Sequence, residues 1–115
     1  MNDIIDNIIK CSFEYEKALI ESNRKKVNKN AAKINKLIRE LYKLNEDYKL
    51  STLLNNKNLV VQFVGAMGLL KRDYDKAINK IIELSEKDHI VSCLAFLIKC
   101  NKDNRDELLK DMWPE

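Results

Sequence analysis

The sequence is short of the residues that terminate strands and build tight turns, since it contains one proline and two glycines among 115 residues. An all-β domain needs a turn every ~8–12 residues, and glycine and proline supply most of those turns. The shortage therefore argues against a β-sandwich or a β-barrel. The length suits one hydrophobic core, so we expect residues 1–115 to form a single domain.

Histidine and cysteine are scarce as well, which excludes several kinds of metal site. With a single histidine, no motif that needs paired histidine ligands can form. The three cysteines are an odd number without a CxxC spacing, so they do not make a disulfide framework. We expect Cys11, Cys93 and Cys100 to be small buried side chains in a reducing cytoplasm. We predict no metal and no cofactor.

The histidine itself offers little catalytic chemistry. His89 follows Asp88, and we expect it to be a partly exposed residue in the first turn of a helix. His89 and Cys93 stand four residues apart and could form a nucleophilic pair, but they would lack an orienting third group and an oxyanion loop. We therefore predict no catalytic residue and no enzymatic activity.

A long hydrophobic run is also missing. The longest apolar stretch, LVVQFVGAMGLL at residues 59–70, has twelve positions. As a helix it would span ~18 Å, whereas the hydrocarbon core of a bilayer is ~30 Å thick. The first residues, MNDIIDNIIK, carry acids instead of the basic flank of a signal peptide. We expect a cytoplasmic protein that does not bind membranes.

What the sequence does contain is helical periodicity. Apolar residues recur at steps of three and four along most of the chain, which is typical of amphipathic helices. The class predicted is therefore all-α, with candidate N-caps at Asn2, Asn58, Asp73 and Asp88. The predicted helices cover about residues 3–21, 24–48, 59–71, 74–87, 89–101 and 104–112, with a short helical turn at 50–55.

The strongly apolar helices alternate with amphipathic ones. Residues 59–70 align with the helix at 89–101 at an offset of 29 residues, which places Ala66 on Ala95. A short repeat of paired helices is typical of an α-solenoid. A helix of such a stack that has neighbours in its own layer and is covered by the second layer must be apolar on nearly all sides. Gly65 and Gly68 share one side of the first of these helices, and we expect them to allow close approach of a neighbour.

The second helix carries a concentration of positive charge. Its lysines at 25, 29, 36 and 43 lie nearly opposite the apolar stripe, so a solvated face is the simplest interpretation. Nucleic-acid binding through residues 24–43 is the alternative. A net charge of only +3 and the absence of aromatic residues among these lysines count against it. The bases are Arg24, Lys25, Lys26, Lys29, Lys33, Lys36, Arg39 and Lys43, against Glu40 alone.

The segment NNKNLVVQFVGAMGLLKRDYDKAINKIIELS resembles a HEAT-type repeat. Gln62 stands where such repeats often have arginine, and the proline common in the first helix is missing, which weakens the expectation of an inter-repeat Asp/Arg ladder. The first helix matches at Asn58, Val61, Gly65, Ala66, Leu69 and Leu70, and the second at Ala77, Ile78, Ile81, Ile82 and Leu84.

Over roughly residues 5–100 the chain is similar to a bacterial family of small single-domain HEAT-like helical-repeat proteins. The resemblance implies a HEAT-like α-α superhelix of about six to seven helices. Residues 1–48 would form an N-terminal helical hairpin, and residues 49–115 would form HEAT-like helix pairs.

Similar small helical-repeat proteins also occur as immunity proteins of bacterial toxin systems, where a compact protein occludes a toxin domain. The resemblance implies a non-catalytic protein-interaction module of this kind, present as a monomer or weak dimer. In HEAT-like stacks the second helices line the concave binding surface. The predicted partner-binding residues are accordingly Lys29, Lys36, Lys43, Lys76, Lys80, Glu83, Lys87, Asp106, Glu107 and Asp111.

Overall fold

The computed structural model describes residues 3–104 and 106, and this part of the chain is helical without a β-strand. The predicted all-α class is confirmed. The predicted helix over 104–112 lies outside the described residues apart from positions 104 and 106. Five α-helices and one 3-10 helix, η1, follow one another within the described range: α1 (Asp3–Ile20), α2 (Arg24–Lys43), η1 (Asp47–Asn55), α3 (Leu59–Leu69), α4 (Tyr74–Ser85) and α5 (Ser92–Cys100).

Side-chain caps fix the starts of two helices where the sequence predicts them. The Asn58 side-chain oxygen accepts hydrogen bonds from the N–H groups of Val60 and Val61, at 2.8 and 3.1 Å, at the start of α3. The Asp73 carboxylate accepts one from the Lys76 N–H at 3.3 Å, at the start of α4. These bonds satisfy donors that the first turn of a helix leaves without partners. The predicted cap Asn2 lies outside the described residues.

The second helix ends earlier than its apolar pattern predicts. We expected a helix to residue 48, but α2 ends at Lys43 because Asn45 adopts a left-handed conformation with φ of 58°. The Glu46 N–H then donates to the Leu41 carbonyl at 2.8 Å, which closes the helix end. Asparagine tolerates this conformation better than most residues. The chain restarts as η1 instead of extending α2.

The start of α5 also differs from the prediction. We expected a helix from residue 89 capped by Asp88, but α5 begins at Ser92 and no side-chain hydrogen bond caps it. His89 precedes the helix, and its Nδ1 accepts a hydrogen bond from the Val91 N–H at 3.2 Å. The residues between α4 and α5 therefore form turns instead of a helical first turn.

Helix α3 is the centre of the core. It packs against α1, α2, η1 and α4, and every residue from Val60 to Leu69 except Gln62 is buried. A helix that contacts neighbours on all sides must be apolar on all sides. This arrangement explains why residues 59–70 form the one continuous apolar stretch of the sequence.

The two glycines of α3 allow η1 to lie directly against it. A Cβ atom added to Gly65 would lie 2.6 Å from the Leu53 Cβ and 3.2 Å from the Leu50 carbonyl oxygen. A Cβ added to Gly68 would meet methyl groups of Leu50 and Ile38 at 2.9 and 3.3 Å. The expected close approach at this pair of glycines is thus present, and it is closest at Gly65.

Helix α5 is apolar on most of its sides, but only one side of it is buried. Phe96 and Leu97 are 52% and 58% exposed, and Cys93 and Cys100 are exposed beside them. The prediction that Cys93 and Cys100 are buried is wrong, because they lie on the side of α5 that its neighbours leave open, and Cys11 is half-buried. We call Cys93, Phe96, Leu97 and Cys100 the apolar face of α5.

The glycine contact predicts a measurable difference between two alanine substitutions. Gly65→Ala should lower the free energy of unfolding by about 1–3 kcal/mol, because the added methyl group meets the Cβ and backbone of η1. Gly68→Ala should cost clearly less, because flexible leucine and isoleucine methyl groups can rotate and alanine favours a helix by ~1 kcal/mol. Urea unfolding of both variants measures the difference.

The exposed Lys29→Ser substitution serves as the control, and its effect should stay within about 0.5 kcal/mol. If Gly65→Ala proves as stable as Gly68→Ala, η1 does not approach α3 as closely as described.

Candidate functional site

A groove of about 280 Å³ runs between η1 and α4 and collects polar side chains from both elements. Leu54 is the buried apolar member of its lining, with 5% exposure. We call it the η1–α4 groove. Its lining residues are Ser51, Leu54 and Asn55 of η1 and Lys76, Asn79, Lys80 and Glu83 of α4.

The α4 side of this groove follows from the helical period. Lys76, Lys80 and Glu83 stand at positions i, i+4 and i+7, which places them on one side of a helix. The opposite side of α4 is held in the core by the buried residues Ala77, Ile78, Ile81 and Leu84. Burial of the apolar side therefore fixes the polar side toward the groove.

The groove contains one ion pair and several polar groups without a protein partner. The Lys80 ammonium lies 2.6 Å from the Glu83 carboxylate, and its hydrogen bond is the main reason why the pKa of Glu83 falls below the ordinary value. Among the described residues, the side chains of Lys76, Asn55 and Asn79 make no hydrogen bond or ion pair. These groups remain available to hydrogen-bond a partner molecule.

Three of the ten predicted partner-binding residues, Lys76, Lys80 and Glu83, meet in the η1–α4 groove. Lys29 lines a different groove, between α1 and α2. The described structure therefore does not gather the predicted residues into one groove. Of the others, Lys36 and Lys43 are exposed on α2, Lys87 is exposed after the end of α4, Asp106 is exposed, and Glu107 and Asp111 lie outside the described residues.

Three polar residues that complete the groove were not predicted from the sequence: Ser51, Asn55 and Asn79. Asn79 stands three residues after Lys76, so the helical period alone could have assigned it to the same side of α4. Ser51 and Asn55 had no such signal, because their place opposite α4 depends on how η1 packs against α3. Local periodicity does not report a contact of that kind.

An ion pair between a buried aspartate and a half-exposed arginine holds the N-terminal end of η1, and the sequence did not indicate it. The Asp47 carboxylate is 4% exposed and accepts a hydrogen bond from Arg72 at 2.7 Å, while the Arg72 guanidinium lies 6.0 Å from the Tyr48 ring centre. Nearby, the Tyr42 hydroxyl donates to the Gly68 carbonyl at 2.6 Å. Burial, followed by the Asp47 charge, raises the pKa of Tyr42 well above its ordinary value. These contacts join α2, η1 and the α3–α4 turn.

His89 takes part in a second structural link. Its Nε2 lies 3.2 Å from one oxygen of Glu16, whose other oxygen accepts a hydrogen bond from the Asn58 amide at 2.9 Å. The Nδ1 of His89 accepts from the Val91 N–H, so both ring nitrogens have partners other than Cys93. Glu16 thereby joins α1, the N-cap of α3 and the segment before α5.

The described part of the chain holds neither a cluster of metal ligands nor a membrane-spanning helix. Residues 3–104 and 106 contain no group of three or more histidine, cysteine, aspartate or glutamate side chains arranged to hold a metal ion. Over the same residues, no helix combines the length and apolar character needed to cross a bilayer.

No protein-family model, curated protein or solved structure matches this chain.

The ion pair between η1 and Arg72 predicts a stability effect. Arg72→Met should lower the free energy of unfolding by about 1–2 kcal/mol, because it leaves the buried Asp47 carboxylate without its charged partner. This loss is smaller than the ~3–5 kcal/mol that breaking a fully buried ion pair costs, since the Arg72 side chain is 48% exposed to solvent. Chemical denaturation measures the change.

Lys57→Met is the matched control, because Lys57 is an exposed lysine outside the described ion pairs. Adding Asp47→Asn to Arg72→Met should restore part of the lost stability, since the buried charge is then removed. An Arg72→Met variant as stable as the control contradicts the structural role of this pair.

Proposed function

We propose that this protein is a non-catalytic protein-interaction module built as a short HEAT-like stack of helices. Its most specific form is an immunity protein that binds and blocks one cognate toxin domain in the cytoplasm. Support for the stack comes from the order of packing, in which α1 contacts α2, η1 contacts α3, α3 contacts α4 and α4 contacts α5. The 29-residue offset between the two apolar helices supports the same arrangement.

The apolar face of α5 is the observation that carries the proposal of a protein partner. Phe96 and Leu97 are each more than half exposed and lie beside two exposed thiols. Contiguous apolar side chains on a small protein commonly mark a surface that meets a partner. Aromatic side chains are enriched at the centres of protein–protein interfaces. Such a face favours a protein partner over a nucleic acid.

The η1–α4 groove would contribute polar contacts and charge. Around α4, at about 100° per residue, Ser85 lies ~180° from Lys76. Ser85 lines the hollow next to Phe96 and Leu97, whereas Lys76 lines the η1–α4 groove. The two surfaces are therefore on opposite sides of α4, and a partner that used both would reach around this helix.

An inhibitor that works by occlusion needs no catalytic residues. Occlusion of a toxin domain requires an apolar anchor and complementary charges at the interface. In our proposal the α5 face supplies the anchor, and Lys76, Lys80 and Glu83 set the orientation of the partner. The remaining predicted residues on α2, Lys29, Lys36 and Lys43, would extend the positive surface that steers association.

Co-expression with a toxin tests the function directly. The toxin to test is the product of any toxin-type gene that is found directly upstream of the gene for this protein. Co-expression should restore growth of cells that produce it, and the two purified proteins should form a stable complex by calorimetry. A toxin that remains lethal in the presence of this protein, together with no detectable complex, rules out the immunity role.

Charge reversal tests which surface binds the partner. Lys76→Glu combined with Lys80→Glu should weaken the complex by about tenfold or more, because it inverts the charge along one side of the η1–α4 groove. Lys10→Glu combined with Lys17→Glu makes the same charge change on α1, where both lysines are exposed, and should change the affinity by less than about threefold.

Phe96→Ser combined with Leu97→Ser is the third double variant, and it should weaken the complex mainly by faster dissociation. Thermal melts confirm that each variant is folded. If neither pair of lysine reversals changes the affinity for the partner, the η1–α4 groove is not part of the interface. If the α5 substitutions also leave the affinity unchanged, neither surface binds the partner.

A further inference from the structure

A second polar groove lies between α1 and α2 and has a different charge from the first. Its volume is about 230 Å³, and four lysines, Lys17, Lys26, Lys29 and Lys33, line it together with Glu14 and Glu21. We call it the lysine groove. All four lysines are exposed, so their ammonium groups are accessible from solvent.

The fold brings these lysines together by two local features. Lys26, Lys29 and Lys33 stand at positions i, i+3 and i+7 of α2 and so share one side of the helix. Ser22, with φ of 55°, turns the chain at the end of α1, so that α2 packs back along α1 and Lys17 joins the three lysines of α2. Ala18, also in the lining, has a short buried side chain that leaves space between the helices.

The positive charge of this groove is only partly balanced within the described part of the protein. None of the four lysines comes within 4.0 Å of a carboxylate oxygen in an ion pair there. Like charges three and four residues apart on a helix repel and disfavour it. Four lysines face only two glutamates in the groove, so an excess of positive charge remains. A bound anion would remove this repulsion.

We propose that the lysine groove binds a compact ligand that carries two or more phosphate groups. Lysine ammonium groups bind phosphate as compact point charges. Four of them around one groove attract a ligand with several negative charges more strongly than a single carboxylate. No arginine and no aromatic ring lines the groove, so it offers nothing on which a base could stack.

The size of the groove agrees with this ligand class. Its volume of about 230 Å³ lies below the ~300–1,000 Å³ of pockets that enclose drug-sized ligands, so it suits a smaller group such as a diphosphate. The inference is independent of the proposed immunity role, because it concerns a different pair of helices and a different kind of ligand.

Calorimetric titration with inorganic diphosphate at low ionic strength tests the proposal. The wild-type protein should bind diphosphate saturably, and the affinity should fall as salt is added. Lys26→Ser combined with Lys33→Ser should weaken binding by about tenfold or more, since it removes two of the four charges around the ligand.

Lys25→Ser combined with Lys36→Ser is the matched control. It makes the same change in net charge on the same helix, but neither residue lines the groove. We expect it to weaken diphosphate binding by less than about threefold, through long-range charge alone. Circular dichroism melts check that both variants are folded, which is expected because all four substituted lysines are exposed.

Three results would overturn the proposal. The first is the absence of saturable diphosphate binding to the wild-type protein. The second is an equal loss of affinity in the two double variants, which would show that only the overall charge of α2 attracts the anion. The third is tight binding of a single-stranded oligonucleotide that diphosphate does not displace, which would indicate an extended nucleic-acid surface instead.

Discussion

The contact between η1 and α3 is the constraint on which the rest of the structure depends. Because Gly65 and Gly68 have no side chains, η1 can place Leu50 and Leu53 directly against α3. The position of η1 against α3 in turn sets where its outward residues Ser51 and Asn55 face α4. A methyl group at the closer glycine would shift η1, and the η1–α4 groove would change shape with it. The sequence that builds the core thus also builds the candidate site.

Local sequence signals were sufficient for the positions of most helices. The caps Asn58 and Asp73 stand where α3 and α4 begin, and the lysine side of α2 is exposed as its periodicity predicts. These local signals failed where a single backbone conformation or a tertiary contact determines where a helix begins or ends. Asn45 ends α2 because it adopts a left-handed conformation, although the apolar pattern continues past it. His89 was expected in the first turn of a helix, but it precedes α5 and accepts a hydrogen bond from the Val91 N–H.

The candidate surfaces were less predictable than the helices. Spacing along α4 groups Lys76, Lys80 and Glu83 correctly, but their neighbours on η1 come from a packing contact between elements distant in sequence. The ion pair of Asp47 with Arg72 spans 25 residues and has no local signature. Composition made α5 look as buried as α3, although packing leaves Phe96 and Leu97 facing solvent. Helical period reports which residues share a side, and it does not report what covers that side.

Native-state hydrogen exchange of the backbone amides tests the central role of α3 most directly. If α3 is the helix that the surrounding elements enclose, its amides from Phe63 to Leu69 can exchange only when the whole domain unfolds. Their exchange free energies should equal the global free energy of unfolding and exceed those of α5, which is covered on one side. Exchange in α3 that is as fast as in α5 would contradict this account, because α3 would then open without the rest of the core.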